Sequence, residues 1–168
     1  MAAVVSIRSR HLLKAYKAIP TGAKEVKFYY ATPDERIRVL REVADADVDI
    51  VYVCIDKENA YNPPIYGNEL YCVTLKELIR SAFAVSLSKD VDIMLDENHF
   101  IKADDLRTIT NNISVELGIN IKRCSKVSSN RCVRIADYTV GSIWAKYERG
   151  NEEFFEIISK KISLAREP

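Results

Sequence analysis

Strand-sized apolar runs alternate with amphipathic helical stretches along this chain, and that alternation constrains its fold more than any other feature. Val48 to Ile55 is nearly continuous in Val, Ile, Tyr and Cys, the pattern of a strand covered by helices on both faces. Val91 to Leu95 repeats it as a second buried strand. Ala2 to Ser6 is a shorter β-branched run, and Val26 to Tyr30 reads as a brief extended segment. Gly118 to Cys124 gives a further strand, followed by a polar loop from Ser125 to Ser129.

Helical patterns separate these runs. The first spans Ser9 to Ala18 with Leu12, Leu13 and Tyr16 on one face, and Pro20 and Gly22 end it. Thr32-Pro33-Asp34-Glu35 predicts a capping box with proline in the first turn, opening a helix to about Asp45. Gly67 to about Ser86 is the longest pattern, and Ala103 to Leu117 ends at Gly118, suited to a left-handed cap. Asn130 to Tyr147 follows, and Asn151 is expected to cap a last helix to about Leu164. The expected fold is an α/β layered sandwich, with a central mixed sheet and helices on both faces. It forms one domain over residues 1–168.

The formal net charge of +1 offers no bulk basic field for nucleic acid, so any such contact must be a local patch. The longest apolar runs are too short to cross a bilayer, which excludes a membrane partner of that kind. No targeting segment is evident, and a cytoplasmic location is expected. Cys54, Cys72, Cys124 and Cys132 form no Cys-x-x-Cys pair and read as packed thiols.

Ligands of such sheets gather at the carboxyl ends of strands, and Asp56 and Asp96 stand there. Paired carboxylates at a sheet edge suit magnesium or manganese, and two such ions can stabilise displacement at phosphorus. Aspartate also ends strands simply because it favours turns. Asp137 interrupts an apolar helical pattern, where a carboxylate needs a partner or a metal; Arg134, three residues earlier, is one candidate partner. Lys27 and Lys57 are candidate phosphate contacts. The stretch from Lys122 to Arg131, which includes Ser128 and Ser129, is basic and hydroxyl-rich and leads into a helix N-terminus, a natural anion site. His99 follows Asp96 in a polar cluster and is a candidate base or ligand. Trp144 and Tyr147 read as core or dimer contacts rather than a base-stacking platform.

The stretch Ser128-Ser-Asn-Arg-Cys-Val-Arg-Ile-Ala-Asp137-Tyr-Thr-Val-Gly141 resembles the C-terminal signature of the domain-of-unknown-function 3800 family. Lys24-Glu-Val-Lys27, Ile55-Asp56-Lys57, Leu70-Tyr71 and Met94-Leu95-Asp96 are similar to shorter pieces of that family, in the same order. The resemblance implies a ribonuclease H-like fold and a metal-dependent nuclease or phosphodiesterase acting on nucleic acid. Asp96 and Asp137 would be its metal-binding carboxylates, assisted by Asp56. Ser128 and Ser129 would lie beside them, and Lys27 and Lys57 would meet the substrate. The family opens on an Asp-Glu-Ser-Gly strand, whereas this sequence starts at what resembles the next strand, and Arg134 replaces a glutamine of the signature. These departures imply an alternative: a catalytically inactive relative that binds nucleic acid or protein, or a homodimer joined through an exposed sheet edge.

Overall fold

The computed structural model describes residues 1–5, 9–20, 27–55, 67–86, 88–97, 101–127 and 130–166. Its strands are β1 (Ala2–Val5), β2 (Asp49–Val53), β3 (Asp90–Asp96), β4 (Asn120–Val127) and β5 (Ile162–Arg166). Its helices are α1 (Leu13–Ala18), α2 (Pro33–Ala44), α3 (Asn68–Val85), α4 (Ala103–Leu117), α5 (Arg131–Arg149) and α6 (Glu153–Ile158). The protein is mixed α/β, as the alternation of patterns implies.

The strands do not form one described sheet. β2 lies between β1, its antiparallel neighbour, and β5, its parallel neighbour. β3 and β4 pair in parallel as a second sheet. Helix α5 touches both β1 and β3 and so bridges the two sheets, while α3 lies against β1, β2 and β5 and packs on α4. The core follows this division. Val39, Leu40, Val43, Ile50, Ile135 and Tyr138 anchor a cluster shared by α2, β2 and α5. Leu75 and Ile79 of α3 join Leu106, Ile109 and Ile113 of α4 beneath Ile93 and Leu95 of β3.

Several local expectations hold. Thr32 accepts from the Glu35 N–H while Glu35 accepts from the Thr32 N–H, which closes the capping box in front of α2. Gly118 adopts φ 63° as the left-handed cap of α4. Asn130 caps α5 by accepting the Cys132 N–H at 2.8 Å.

Others are corrected. β3 is not buried on both faces: Val91, Ile93 and Leu95 are half-buried while Asp90, Asp92, Met94 and Asp96 are exposed. A strand flanked by four such outward residues alternates, because only one face meets helices. The chain from Ser9 begins as a 3-10 turn to Leu12, and Leu13 points outward while Leu12, Ala15 and Ile19 are buried. Phe28–Tyr30 is a 3-10 turn instead of an extended segment. The last helix stops at Ile158, and strand β5 (Ile162–Arg166) takes in Ile162 to Leu164, which were expected to end that helix. Its pairing with β2 outweighs local helical pattern, a common outcome where a sheet edge is open to a β-branched residue such as Ile162. β4 continues through Ser125 to Val127, so most of the expected basic loop is strand.

Candidate functional site

The burial of Asp137 is resolved by a backbone partner. The Phe28 N–H donates to Asp137 Oδ2 at 2.8 Å across a separation of 109 residues. A charged acceptor strengthens such a bond and offsets the desolvation of the carboxylate. The same turn is gripped from its other side by Arg36, whose Nε donates to the Phe28 carbonyl at 2.8 Å and whose second guanidinium nitrogen donates to the Tyr29 carbonyl at 2.9 Å. The turn therefore finds its hydrogen bonds in side chains of α2 and α5, which is why it does not continue as a strand.

The Phe28 ring seats in a notch of α5. A Cβ built on Gly141, one helical turn after Asp137, would lie 2.3 Å from Phe28 Cγ and 2.6 Å from its Cβ. Only glycine permits this approach. Tyr138 and Phe154 meet the ring edge-to-face, with centroids at 6.1 and 5.4 Å, and the Arg36 guanidinium covers it at 4.6 Å. Tyr138 is fully buried and its hydroxyl has no hydrogen-bond partner among the described residues. Burial pushes its ionisation up to about 12, with the carboxylates of Glu35 and Asp137 adding to the shift and Arg36 and Arg38 opposing it.

This anchor fixes an exposed surface. Tyr29 and Tyr30 leave the anchored turn with 62% and 69% of their surface exposed, and Trp144 and Tyr147 of α5 are 40% and 39% exposed. Of the core or dimer contact expected for these two α5 rings, their exposure removes the core alternative. The Arg149 guanidinium sits 4.5 Å from the Trp144 ring centroid and 6.0 Å from that of Tyr29. The Tyr29 and Tyr30 rings stand perpendicular at 5.3 Å. Further round, Lys146 lies 4.0 Å over Phe155 and 5.6 Å from Tyr147, and the Tyr147 hydroxyl meets that of Tyr52 at 2.9 Å. Lys146 also pairs with Glu152 at 3.8 Å. The rings fall into two groups, Tyr29, Tyr30 and Trp144 around Arg149, and Tyr52, Tyr147 and Phe155 around Lys146.

The remaining expected site residues lie on β3, on α5, before the Phe28 turn and outside the described residues. Asp96 is exposed at the end of β3, opposite Val127 of β4. From there the chain leads through residues 128–129 to the cap of α5, and Asp137 lies seven residues beyond Asn130, about 10 Å of helical rise. The elements carrying Asp96 and Asp137 touch. Lys27 is half-buried directly before the anchored turn. Asp56, Lys57, Ser128, Ser129 and His99 lie outside the described residues. Two lysines of the expected phosphate loop have structural work: Lys122 pairs with Asp90 at 3.0 Å, and Lys126 Nζ donates to the Ile101 carbonyl. The Asn120 side chain and Lys122 together hold the Asp90 carboxyl below its usual range. Burial pushes the Cys124 and Cys132 thiols up, in keeping with packed rather than reactive cysteines.

Sequence reasoning missed Phe28, Arg36, Gly141 and Arg149. Gly141 carried a usable signal, since a glycine inside a helical pattern marks a close approach. No family model, curated protein or solved structure matches this chain.

Proposed function

We propose that the protein is a nucleic-acid-binding module of ribonuclease H-like layout, in which Asp137 anchors the binding surface. The observation that carries this reading is the Arg149 guanidinium set between the exposed Trp144 and Tyr29 rings. Aromatic faces offer stacking to bases, and a cation among them meets phosphate. The bridging of two sheets by the Asp137 helix and the Asp96 strand end are in keeping with the layered fold that the sequence resembles.

Magnesium or manganese belongs to the nuclease reading of Asp96 and Asp137. Among the described residues no group of three or more His, Cys, Asp or Glu side chains is placed to hold a metal ion. The Phe28 N–H also occupies one oxygen of Asp137.

The test is fluorescence anisotropy with labelled DNA and RNA, in chelator and in manganese. Binding in chelator, without hydrolysis in manganese, is expected. Manganese-dependent cleavage that Asp96→Asn abolishes would return the protein to the nuclease class.

A second reading concerns assembly. Among the described residues β1 and β3 each carry a ladder on one side only, and an open edge is a template for pairing with a second copy. Light scattering at a dimer mass supports this reading, and a monomer mass removes it.

A further inference from the structure

Resting on the nucleic-acid reading above, we infer that the ligand of the Tyr29–Tyr30–Trp144–Arg149 surface is single-stranded, with bases stacked on the rings and little dependence on sequence. Three observations lead there.

The first is exposure. Tyr29 and Tyr30 expose well over half of their surface, on a turn whose backbone is held at three points by Asp137 and Arg36. Rings presented from a clamped backbone lose little freedom on binding, which favours association. The second is geometry. The Tyr29 and Tyr30 rings meet at an interplanar angle of 87°, so they form a corner and not a flat wall. A base can stack on one ring with its edge against the other. In a duplex the base faces are hidden in the stack, and such a corner has nothing to hold; unpaired bases expose both faces.

The third is charge. Duplex binding is dominated by phosphate neutralisation and needs many cations along the contact. This chain has a net charge of +1; Arg149 is the cation seen against these rings, and Lys146 of the other ring group on α5 is already paired with Glu152. Two cations cannot supply the phosphate contacts of a duplex, whereas stacking on three or four rings can supply most of the affinity for a strand. Every base has a face to stack, so the surface tolerates sequence.

The probe is an oligo(dT) of about twelve nucleotides, within the ~4–16-nucleotide site sizes of single-strand binders. A duplex and an oligo(rU) of the same length serve as comparisons. Trp144 is the only tryptophan, so its fluorescence reports the surface directly. The expected result is quenching of Trp144 by the single strands. Log affinity should fall against log salt with a slope between about −0.7 and −1.4, from one or two neutralised phosphates at about −0.7 each. Tyr30→Ala should weaken binding at least about fivefold, and Tyr30→Phe should restore it. Tyr30 is largely exposed, so both variants are expected to fold, and a thermal melt checks that.

Equal or tighter binding of the duplex, with a slope steeper than about −4, would overturn the single-strand assignment and leave the nucleic-acid reading standing. Single-strand binding that Tyr30→Ala does not weaken would also overturn it, by placing the contact elsewhere. Binding of neither probe overturns both this inference and the reading it rests on.

Discussion

Asp137 and Asp96 stand on elements that touch, yet their surroundings differ in kind. Asp137 is half-buried on a helix packed from several sides, with a backbone N–H at 2.8 Å and a phenylalanine ring lodged one turn further on. Asp96 ends an alternating strand on the exposed face of a two-stranded sheet. The two carboxylates, both candidate metal ligands by sequence, are therefore under different physical demands. A carboxylate in a packed helix must be satisfied by its surroundings, and what satisfies it becomes part of the fold. A carboxylate at an exposed strand end makes no such demand.

The contrast can be broken at its strongest point first. Phe28→Ala empties the notch above Gly141 and is expected to cost about 3–5 kcal/mol by urea unfolding. Gly141→Ala tests the same contact from the helix. In an exposed helix this change gains up to about 1 kcal/mol, but here the new Cβ would lie 2.3 Å from a ring atom held close to its own backbone. Overpacking wins, and a net loss of about 1–3 kcal/mol is expected.

Tyr138 adds a pH test. Its ionisation is raised from 10.0 to about 12 in the folded state, so between those values the folded protein holds a proton that the unfolded chain releases. Its contribution is complete below pH 10 and is lost as pH rises to about 12. About two pKa units correspond to roughly 2–3 kcal/mol. Tyr138→Phe should remove this alkaline loss and leave neutral-pH stability unchanged or slightly higher, because the replaced hydroxyl has no partner among the described residues. Unfolding free energies at pH 8 and pH 11 for parent and variant decide it. The smallest effect is expected at the other carboxylate: Asp96→Ala should change stability by no more than about 0.5 kcal/mol, as for exposed positions generally.

Much of the local structure was legible in the sequence because its causes are local. The Thr32–Glu35 box, the Gly118 cap and the apolar run that became β2 each follow from a few neighbouring residues. Strand β5 was not legible. Ile162 to Leu164 continue a helical pattern, and only the pairing of this segment with β2, more than a hundred residues earlier, makes it a strand. The turn at Phe28 failed for the same reason, since its hydrogen-bond partners are Asp137 and Arg36. The burial of Asp137 was readable as an unmet need, but not the group that meets it. Arg149 between two rings was beyond reach, because Tyr29 and Trp144 lie far apart in the chain. Side-chain pattern reports which residues want partners; distant pairing decides which they get.

The central claim is that Asp137 acts as a hydrogen-bond acceptor that fixes the Tyr29–Tyr30 surface. Its most direct test is oligo(dT) affinity in chelator for Asp137→Asn and Asp137→Ala. Asparagine keeps an oxygen for the Phe28 N–H, and alanine keeps none. Asp137→Asn is expected to bind within about twofold of the parent and Asp137→Ala at least about tenfold more weakly, a tenfold change being about 1.4 kcal/mol. Equal loss in both variants would contradict it, and manganese strengthening the parent alone would make Asp137 a metal ligand.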